Sequence, residues 1–168
     1  MAAILGARKV VVTDYPDAEL IENLKCNIYT CALLEQPATN ITAEGYLWGS
    51  SAKSLLAHLS TPSQRFDVLL LADLLFNHSC HGALVTTILD TLAHTPEARA
   101  LVFFTPYRPW LLEKDMAFFD LCREGGFEVQ KVVEEVMEKV MFEDDRGNEM
   151  LRRTVFGFEV RWRDEVGA

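Results

Sequence analysis

Short apolar runs alternate with longer amphipathic segments along the chain, and this alternation limits the possible folds more than any other feature. The three clearest runs, at residues 9–13, 66–71 and 100–105, are apolar nearly throughout, which is typical of buried parallel strands. Segments with the apolar spacing of helices follow each run. Such an alternation predicts an α/β fold, with a parallel sheet that is covered by helices on both faces.

The remaining strands and helices are predicted from weaker signals. Residues 41–47 and 127–133 are strand candidates, although the second could also mark a strand-to-helix transition. After a polar turn at 143–149, residues 153–162 alternate and predict a closing strand in hairpin relation to what precedes it. The sheet is therefore expected to be mostly parallel with an antiparallel last strand. The predicted helices cover residues 17–34, 50–59, 82–93 and 109–124, with Asp17 as an N-cap and Gly125-Gly126 as a C-cap.

Length and composition indicate a single globular domain over residues 1–168. A chain of 168 residues with 49% hydrophobic content is large enough to bury a proper core. No apolar run approaches the roughly 20 residues that a membrane span requires, so no membrane partner is expected. We expect a monomer.

The cysteines argue against a metal centre and for a reducing compartment. No two of them have the CxxC spacing of zinc and redox motifs. His78 and His81 flank Cys80, but a structural metal site usually needs a second pair of ligands, so we expect no metal. Free thiols in a chain without a secretion signal indicate the cytoplasm. The four are Cys26, Cys31, Cys80 and Cys122.

The net charge of −9 argues against nucleic acid as a partner but does not identify another partner. Nucleic-acid binding needs clustered lysine and arginine, so no nucleic acid is expected. An acidic surface would tolerate a basic peptide or an amine substrate. Most acidic proteins carry such a charge for solubility, however, so the charge alone leaves the substrate open.

Three predicted strands end in residues that could bind a ligand: Asp14, the segment 72–78 and the segment 105–108. In open α/β sheets, ligands bind beyond the carboxyl ends of the strands. An acidic residue after the second strand of a nucleotide-binding unit accepts hydrogen bonds from ribose hydroxyls, which is one reading of Asp14. The other interpretation is that Asp14 caps a turn or a helix, and both interpretations stay open.

Trp48 and the segment 72–78 carry further candidates. Trp48 lies among glycines just past a strand, where its indole could cover a flat ligand such as adenine or could pack into the core. Ala72 is small enough to let a ligand approach the backbone. Asp73 and Asn77 could accept N–H groups of an amine, although Asp73 could equally cap a helix. His78 could act as a base or could occupy a surface turn.

Several stretches together resemble one family over nearly the whole chain. They resemble the fungal N-terminal and lysine methyltransferases of translation elongation factor 1-alpha, formerly described as nicotinamide N-methyltransferases. That family belongs to the class I, seven-strand protein lysine methyltransferases. The resemblance implies a Rossmann-like sheet, S-adenosyl-L-methionine as cofactor and elongation factor 1-alpha as the protein substrate. The stretches are VVVTDYPD at 10–17, LIENL at 20–24, YLWG at 46–49, LLLADLLFNH at 69–78, MFEDDRG at 141–147 and RRTVFGF at 152–158.

The resemblance also implies roles for particular residues. Asp14 would bind the cofactor ribose, Trp48 would lie beside the adenine, and Ala72 would contact the cofactor at the end of the family's fourth strand. Related enzymes carry an Asp-x-x-Tyr or Asp-x-x-Phe motif after that strand, here the segment 73–76, next to the substrate entrance. Phe76 lacks the hydroxyl of the tyrosine form. Asp73 and Asn77 are the candidates for orienting the acceptor amine.

The chain departs from the family at its start. The family's first strand and Gly-x-Gly loop come before the segment that leads into the second strand, and only residues 2–6 resemble the end of that segment. We therefore expect a sheet without the first strand and glycine-rich loop. In the family that strand lies between the second and the fourth, so its absence would divide the sheet and leave backbone groups unpaired.

The activity that the resemblance implies is methyl transfer to the N-terminal amine and adjacent lysine of elongation factor 1-alpha. One alternative is a methyltransferase acting on nicotinamide or another small amine. A second, from a different class, is an inactive fragment or binding module. A fragment of a nicotinamide-dinucleotide dehydrogenase would also place an acid after the second strand, but Trp48 and the segment 73–78 argue against it.

Overall fold

The strands form two sheets in the computed structural model, which describes residues 1–61 and 64–163. Two strands make the first sheet and four make the second. The chain divides into two compact units, Met1–Gln64 and Arg65–Ala168, each of which contains one sheet. The single domain that the length indicates stays a prediction.

The first unit is built on a parallel pair of strands. β1 (Val10–Asp14) pairs with β2 (Ile41–Gly45), in a register that sets Asp14 opposite Gly45. α1 (Ala18–Thr30) connects them, and α2 (Lys53–Leu56) follows β2. The side chain of Asp17 accepts hydrogen bonds from the first backbone N–H groups of α1, which confirms the predicted N-cap.

The second unit holds the four-stranded sheet, made of β3 (Val68–Ala72), β4 (Arg99–Phe104), β5 (Phe127–Val136) and β6 (Thr154–Trp162). The strands lie in the order β3-β4-β6-β5. β3 is parallel to β4, whereas β6 is antiparallel to both of its neighbours. The predicted mostly parallel sheet with an antiparallel last strand is therefore confirmed. The helices of this unit are α3 (His81–Thr91), α4 (Leu112–Glu124) and α5 (Glu149–Arg153).

Aromatic side chains from α4 and the sheet fill the core of the second unit. Phe118 and Phe119 of α4 are fully buried, and the Phe119 ring lies 4.1 Å from that of Phe158 on β6. Cys122 is buried beside them, and burial raises the pKa of its thiol to about 12. α4 ends at the predicted glycine pair, where Gly126 adopts a φ of +92°.

Several predicted boundaries differ from those observed. α1 ends at Thr30 rather than at residue 34, and the side-chain amide of Gln36 donates to the free carbonyl of Ile28 near that end. α2 covers only the middle of the predicted helix 50–59, without a side-chain cap. The ambiguous segment at 127–133 is a strand that continues to Val136.

No helix among the described residues combines the length and the apolar composition needed to cross a membrane.

Candidate functional site

Asp14 lies at the carboxyl end of β1, at the edge where parallel strands commonly present ligand-binding groups. Its carboxylate is exposed, and one oxygen accepts a 2.7 Å hydrogen bond from the backbone N–H of Tyr15. Its carbonyl oxygen accepts from the Tyr46 N–H at 2.9 Å. Asp14 caps its own turn through one oxygen, and the carboxylate remains exposed for a hydroxyl donor.

The end of β2 lies directly beside Asp14 and is glycine for a steric reason. A Cβ on Gly45 would lie 3.0 Å from the Cα of Pro16, closer than such atoms normally approach. The chain then turns at Trp48 and Gly49, whose φ of +76° suits glycine. Trp48 itself is half-buried, so it is neither a core residue nor fully exposed.

In the second unit, β3 ends at Ala72, which is exposed and pairs with Phe103 of β4. The next residue, Asp73, adopts a φ of +53°, a conformation that few residues other than glycine adopt. Its N–H donates to the carbonyl oxygen of Phe103 at 2.8 Å. The backbone therefore turns sharply at the carboxyl end of the strand, where a ligand can approach.

The Asp73 carboxylate is held by the segment that follows β4. One oxygen accepts from the Thr105 N–H at 3.1 Å, and the other accepts from the Tyr107 hydroxyl at 3.4 Å. Burial and the negative charge of Asp73 together raise the pKa of Tyr107 above 10.0, so the hydroxyl remains a donor. Asp73 is consequently anchored across two strand ends, and these two bonds involve no helix terminus.

The side chains of Asn77 and His78 each have a polar partner in the structure. The amide oxygen of half-buried Asn77 accepts from the Ser79 hydroxyl at 3.0 Å. His78 begins a short 3-10 turn, and its Nε2 lies 2.7 Å from Oδ1 of buried Asp115 on α4. His78 is half-buried and tied to α4, so the interpretation as a simple surface turn was incomplete.

The candidates fall into two groups, and sequence reasoning missed members of one of them. Asp14 and Trp48 follow adjacent strands of the first unit, whereas Ala72 and Asp73 follow a strand of the second. Tyr107 was noted only as part of the strand end 105–108. Its pairing with Asp73 spans 34 positions in sequence, and no local pattern signals such a contact.

The residues present suit the adenosine part of a nucleoside cofactor. An exposed carboxylate at Asp14 accepts hydroxyl protons, and the half-buried indole of Trp48 offers an apolar ring. Before β1 the chain contains one glycine, Gly6, so these residues offer no glycine-rich loop for the rest of such a cofactor. Among the described residues, no three side chains of His, Cys, Asp or Glu meet in a way that could hold a metal ion.

A sequence profile of the lysine methyltransferase family matches residues 1–124. The chain is 47% identical over 170 residues to a protein N-terminal and lysine N-methyltransferase of Emericella nidulans, covering 99% of this chain and 66% of the relative. It is 51% identical over 168 residues to the protein of the same name from Neurospora crassa, covering 96% of this chain and 60% of that protein. The chain thus spans about three fifths to two thirds of the length of these relatives.

Solved structures show the same fold at low sequence identity. A precorrin-6y C5,15-methyltransferase from Geobacter metallireducens matches with a TM-score of 0.51 and 11% identity, over 92% of this chain and 67% of that one. A precorrin 8w decarboxylase from Methanobacterium thermoautotrophicum matches with a TM-score of 0.53 and 17% identity, over 94% of this chain and 73% of that one. These likenesses confirm the Rossmann-like class I methyltransferase fold.

Proposed function

The chain belongs to the lysine methyltransferase family, and we propose that it catalyses the S-adenosylmethionine-dependent methylation of a protein N-terminal amine and the adjacent lysine. The substrate we propose is translation elongation factor 1-alpha, in the cytoplasm. The observation that carries the proposal is Asp73, an anchored carboxylate beside exposed Ala72 at a strand end. The relatives from Emericella nidulans and Neurospora crassa, both protein N-terminal and lysine N-methyltransferases, support the reaction class.

The cofactor-binding residues in this proposal are Asp14, Trp48 and Ala72. Asp14 accepts the ribose hydroxyls, which its exposed carboxylate favours. Trp48 covers one face of the adenine, and Ala72 permits close approach to the backbone. When bound, S-adenosylmethionine supplies an electrophilic methyl group.

The protonation state of the acceptor decides which amine is methylated more easily. A neutral amine is required, and an α-amino group has a reference pKa of about 7.7–8.0 whereas lysine has about 10.4. At pH 7, deprotonation costs about 1 kcal/mol for the α-amino group and nearly 5 kcal/mol for lysine. A lysine therefore needs a site that removes its water or lowers its pKa.

Asp73 is proposed to orient the acceptor. A carboxylate that accepts an N–H bond fixes the direction of the nitrogen lone pair, and such positioning supplies much of the rate in a displacement reaction. Asn77 has a similar role, with an amide oxygen that Ser79 already engages. These residues act by binding and orientation rather than by covalent chemistry.

Calorimetry with S-adenosylmethionine tests the cofactor part of the proposal. We expect this 168-residue chain to bind the cofactor with micromolar affinity, and Asp14→Ala to weaken binding about tenfold, the equivalent of 1.4 kcal/mol. Asp90→Asn, which neutralises an exposed carboxylate on α3, is the matched control. Absence of binding by the unmodified chain would favour the alternative of an inactive fragment or binding module.

An acceptor assay tests the substrate class. We expect methylation of a peptide that begins Gly-Lys, and none of nicotinamide under the same conditions. The reverse preference would show that the small-amine alternative is correct.

A further inference from the structure

Large apolar side chains are exposed on the segments that follow β4 and β5. Trp110 is 62% exposed, Met141 69% and Phe142 53%. β3, β4 and β5 run in the same direction, so the segments that follow them leave from the same edge of the four-stranded sheet. Asp73 lies at that edge, directly after β3.

These side chains form one connected surface around Tyr107. The Tyr107 ring meets Phe142 edge-on at 5.5 Å, and its hydroxyl lies 3.5 Å from the sulfur of Met141. A Cβ on Gly147 would lie 3.2 Å from Cζ3 of Trp110, so the loop after β5 also passes close to Trp110. We call Tyr107, Trp110, Met141 and Phe142 the apolar surface.

A net negative charge adjoins the apolar surface, since three consecutive acidic residues are followed by a single arginine, Arg146. Glu143, Asp144 and Asp145 follow Phe142 directly, and all three are exposed. No ion pair within the described part of the chain involves them. The nearby guanidinium groups of Arg108 and Arg152 donate instead to backbone carbonyls, at 2.9 and 2.8 Å. This pairing of apolar and acidic side chains suits a ligand that is itself both apolar and cationic.

We propose that the apolar surface and the acidic segment 143–145 bind a lysine-rich, extended peptide that flanks the residue to be methylated. Lysine offers an apolar stem for the exposed rings and an ammonium group for the carboxylates and aromatic faces. Complementary charge also speeds the encounter of the two partners. This inference rests on the proposed function, because it makes the surface an extension of the acceptor site at Asp73.

Binding measurements without cofactor test the surface directly. The probes are a lysine-rich peptide with a free N-terminus and a matched peptide in which glutamine replaces each lysine. We expect the first to bind and the second to bind at least about tenfold more weakly. Trp110→Ala should weaken binding about two- to fivefold, the range that an exposed cation–π contact supplies. The double variant Glu143→Gln/Asp144→Asn should weaken it about threefold, and less so at high salt.

Matched controls separate the surface from general effects. Tyr29→Ala removes an aromatic ring that is 75% exposed elsewhere, and Glu97→Gln/Glu124→Gln neutralises two other exposed carboxylates. We expect both variants to bind the lysine-rich peptide with the affinity of the unmodified chain. Thermal unfolding verifies that each variant is folded.

Several outcomes would overturn the inference. They are no binding of the lysine-rich peptide, equal binding by the surface and control variants, or a dimer in light scattering that Trp110→Ala converts to a monomer. The proposed function would survive each of these if cofactor binding and methylation of a short Gly-Lys acceptor persisted. Conversely, a chain that binds the peptide but not the cofactor would support the proposed peptide-binding surface and contradict the proposed methyltransferase activity.

Discussion

At the scale of single residues, Asp73 combines an unusual backbone conformation with a fixed side chain. Its φ of +53° costs a residue other than glycine free energy, of the order of 1–3 kcal/mol. Hydrogen bonds from Thr105 and Tyr107 offset part of that cost. The result is a carboxylate whose direction is set before any acceptor arrives, which is what positioning requires.

Replacing Asp73 by Asn tests this role. The amide keeps the size of the side chain but removes the negative charge and one acceptor oxygen. We expect the rate of methyl transfer to fall about 10- to 100-fold, while cofactor affinity changes by less than about twofold. Single-turnover methylation and calorimetry provide the two measurements. An unchanged rate would remove Asp73 from the mechanism.

Tyr107 is expected to act through Asp73. Tyr107→Phe retains the ring contact with Phe142 but loses the hydroxyl, so we expect a smaller decrease in rate, about three- to tenfold. Because burial and the charge of Asp73 raise the pKa of Tyr107 above 10.0, its hydroxyl keeps its proton and the bond to Asp73 to higher pH than an ordinary tyrosine would. The alkaline decline in rate that loss of this bond causes should be absent from Tyr107→Phe. Identical pH–rate profiles for the two proteins would show that the Tyr107 hydroxyl does not contribute to the rate.

The candidate residues at strand ends could be predicted from sequence because one local rule locates them. Asp14 and Ala72 each follow an apolar run, and both lie where that rule expects. Contacts between residues that are far apart in the sequence could not be predicted in the same way. The bond between His78 and Asp115 joins residues 37 positions apart, which only the tertiary fold brings together.

At the scale of elements, β6 shows how one glycine fixes the packing of three strands. Gly157 pairs with Phe103 of β4 and Val133 of β5. A Cβ there would lie 2.6 Å from Cε1 of Phe103 and 2.8 Å from Cβ of Val133. The side chains of Phe103 and Val133 would both have to move, because carbon atoms that are not bonded to each other do not approach so closely.

Gly157→Ala should therefore destabilise the second unit. We expect the free energy of unfolding to fall by about 1–3 kcal/mol, the usual cost of overpacking. Gly82→Ala is the matched control, since a Cβ at that α3 position meets no atom within 4 Å. It should be neutral or stabilising by up to about 1 kcal/mol, because alanine favours helices. Denaturant unfolding of both variants gives the comparison, and equal stabilities would show that β6 tolerates a side chain at 157.

Strands were easier to predict than short helices for a physical reason. A parallel strand that is covered on both faces is apolar along its whole length, so even the five residues of β1 stand out in the sequence. The prediction that β1 is buried was wrong, because three of its residues are half-buried and two are exposed. α5 has only five residues and lay partly within the predicted polar turn. Its start depends on Asn148, whose side chain accepts from the Leu151 N–H, and so short a helix has no detectable periodicity.

At the scale of the whole molecule, burial is distributed unevenly between the two units. Most of the fully buried side chains, including Phe118, Phe119 and Phe127, belong to the second unit. In the first unit α1 has no buried residue, and its buried apolar side chains are few. Among the described residues, β1 and β3 are edge strands of their sheets.

Hydrogen exchange followed by mass spectrometry should reveal this difference. Local opening costs less free energy where few apolar side chains are buried, so amides of residues 10–45 should exchange well before those of residues 99–133. We expect S-adenosylmethionine to slow exchange around Asp14 and Trp48, because a ligand that binds only the folded form stabilises it. Nicotinamide, added as a control, should change nothing. Uniform protection across both units would contradict the first expectation, and protection unaffected by S-adenosylmethionine would contradict the roles of Asp14 and Trp48.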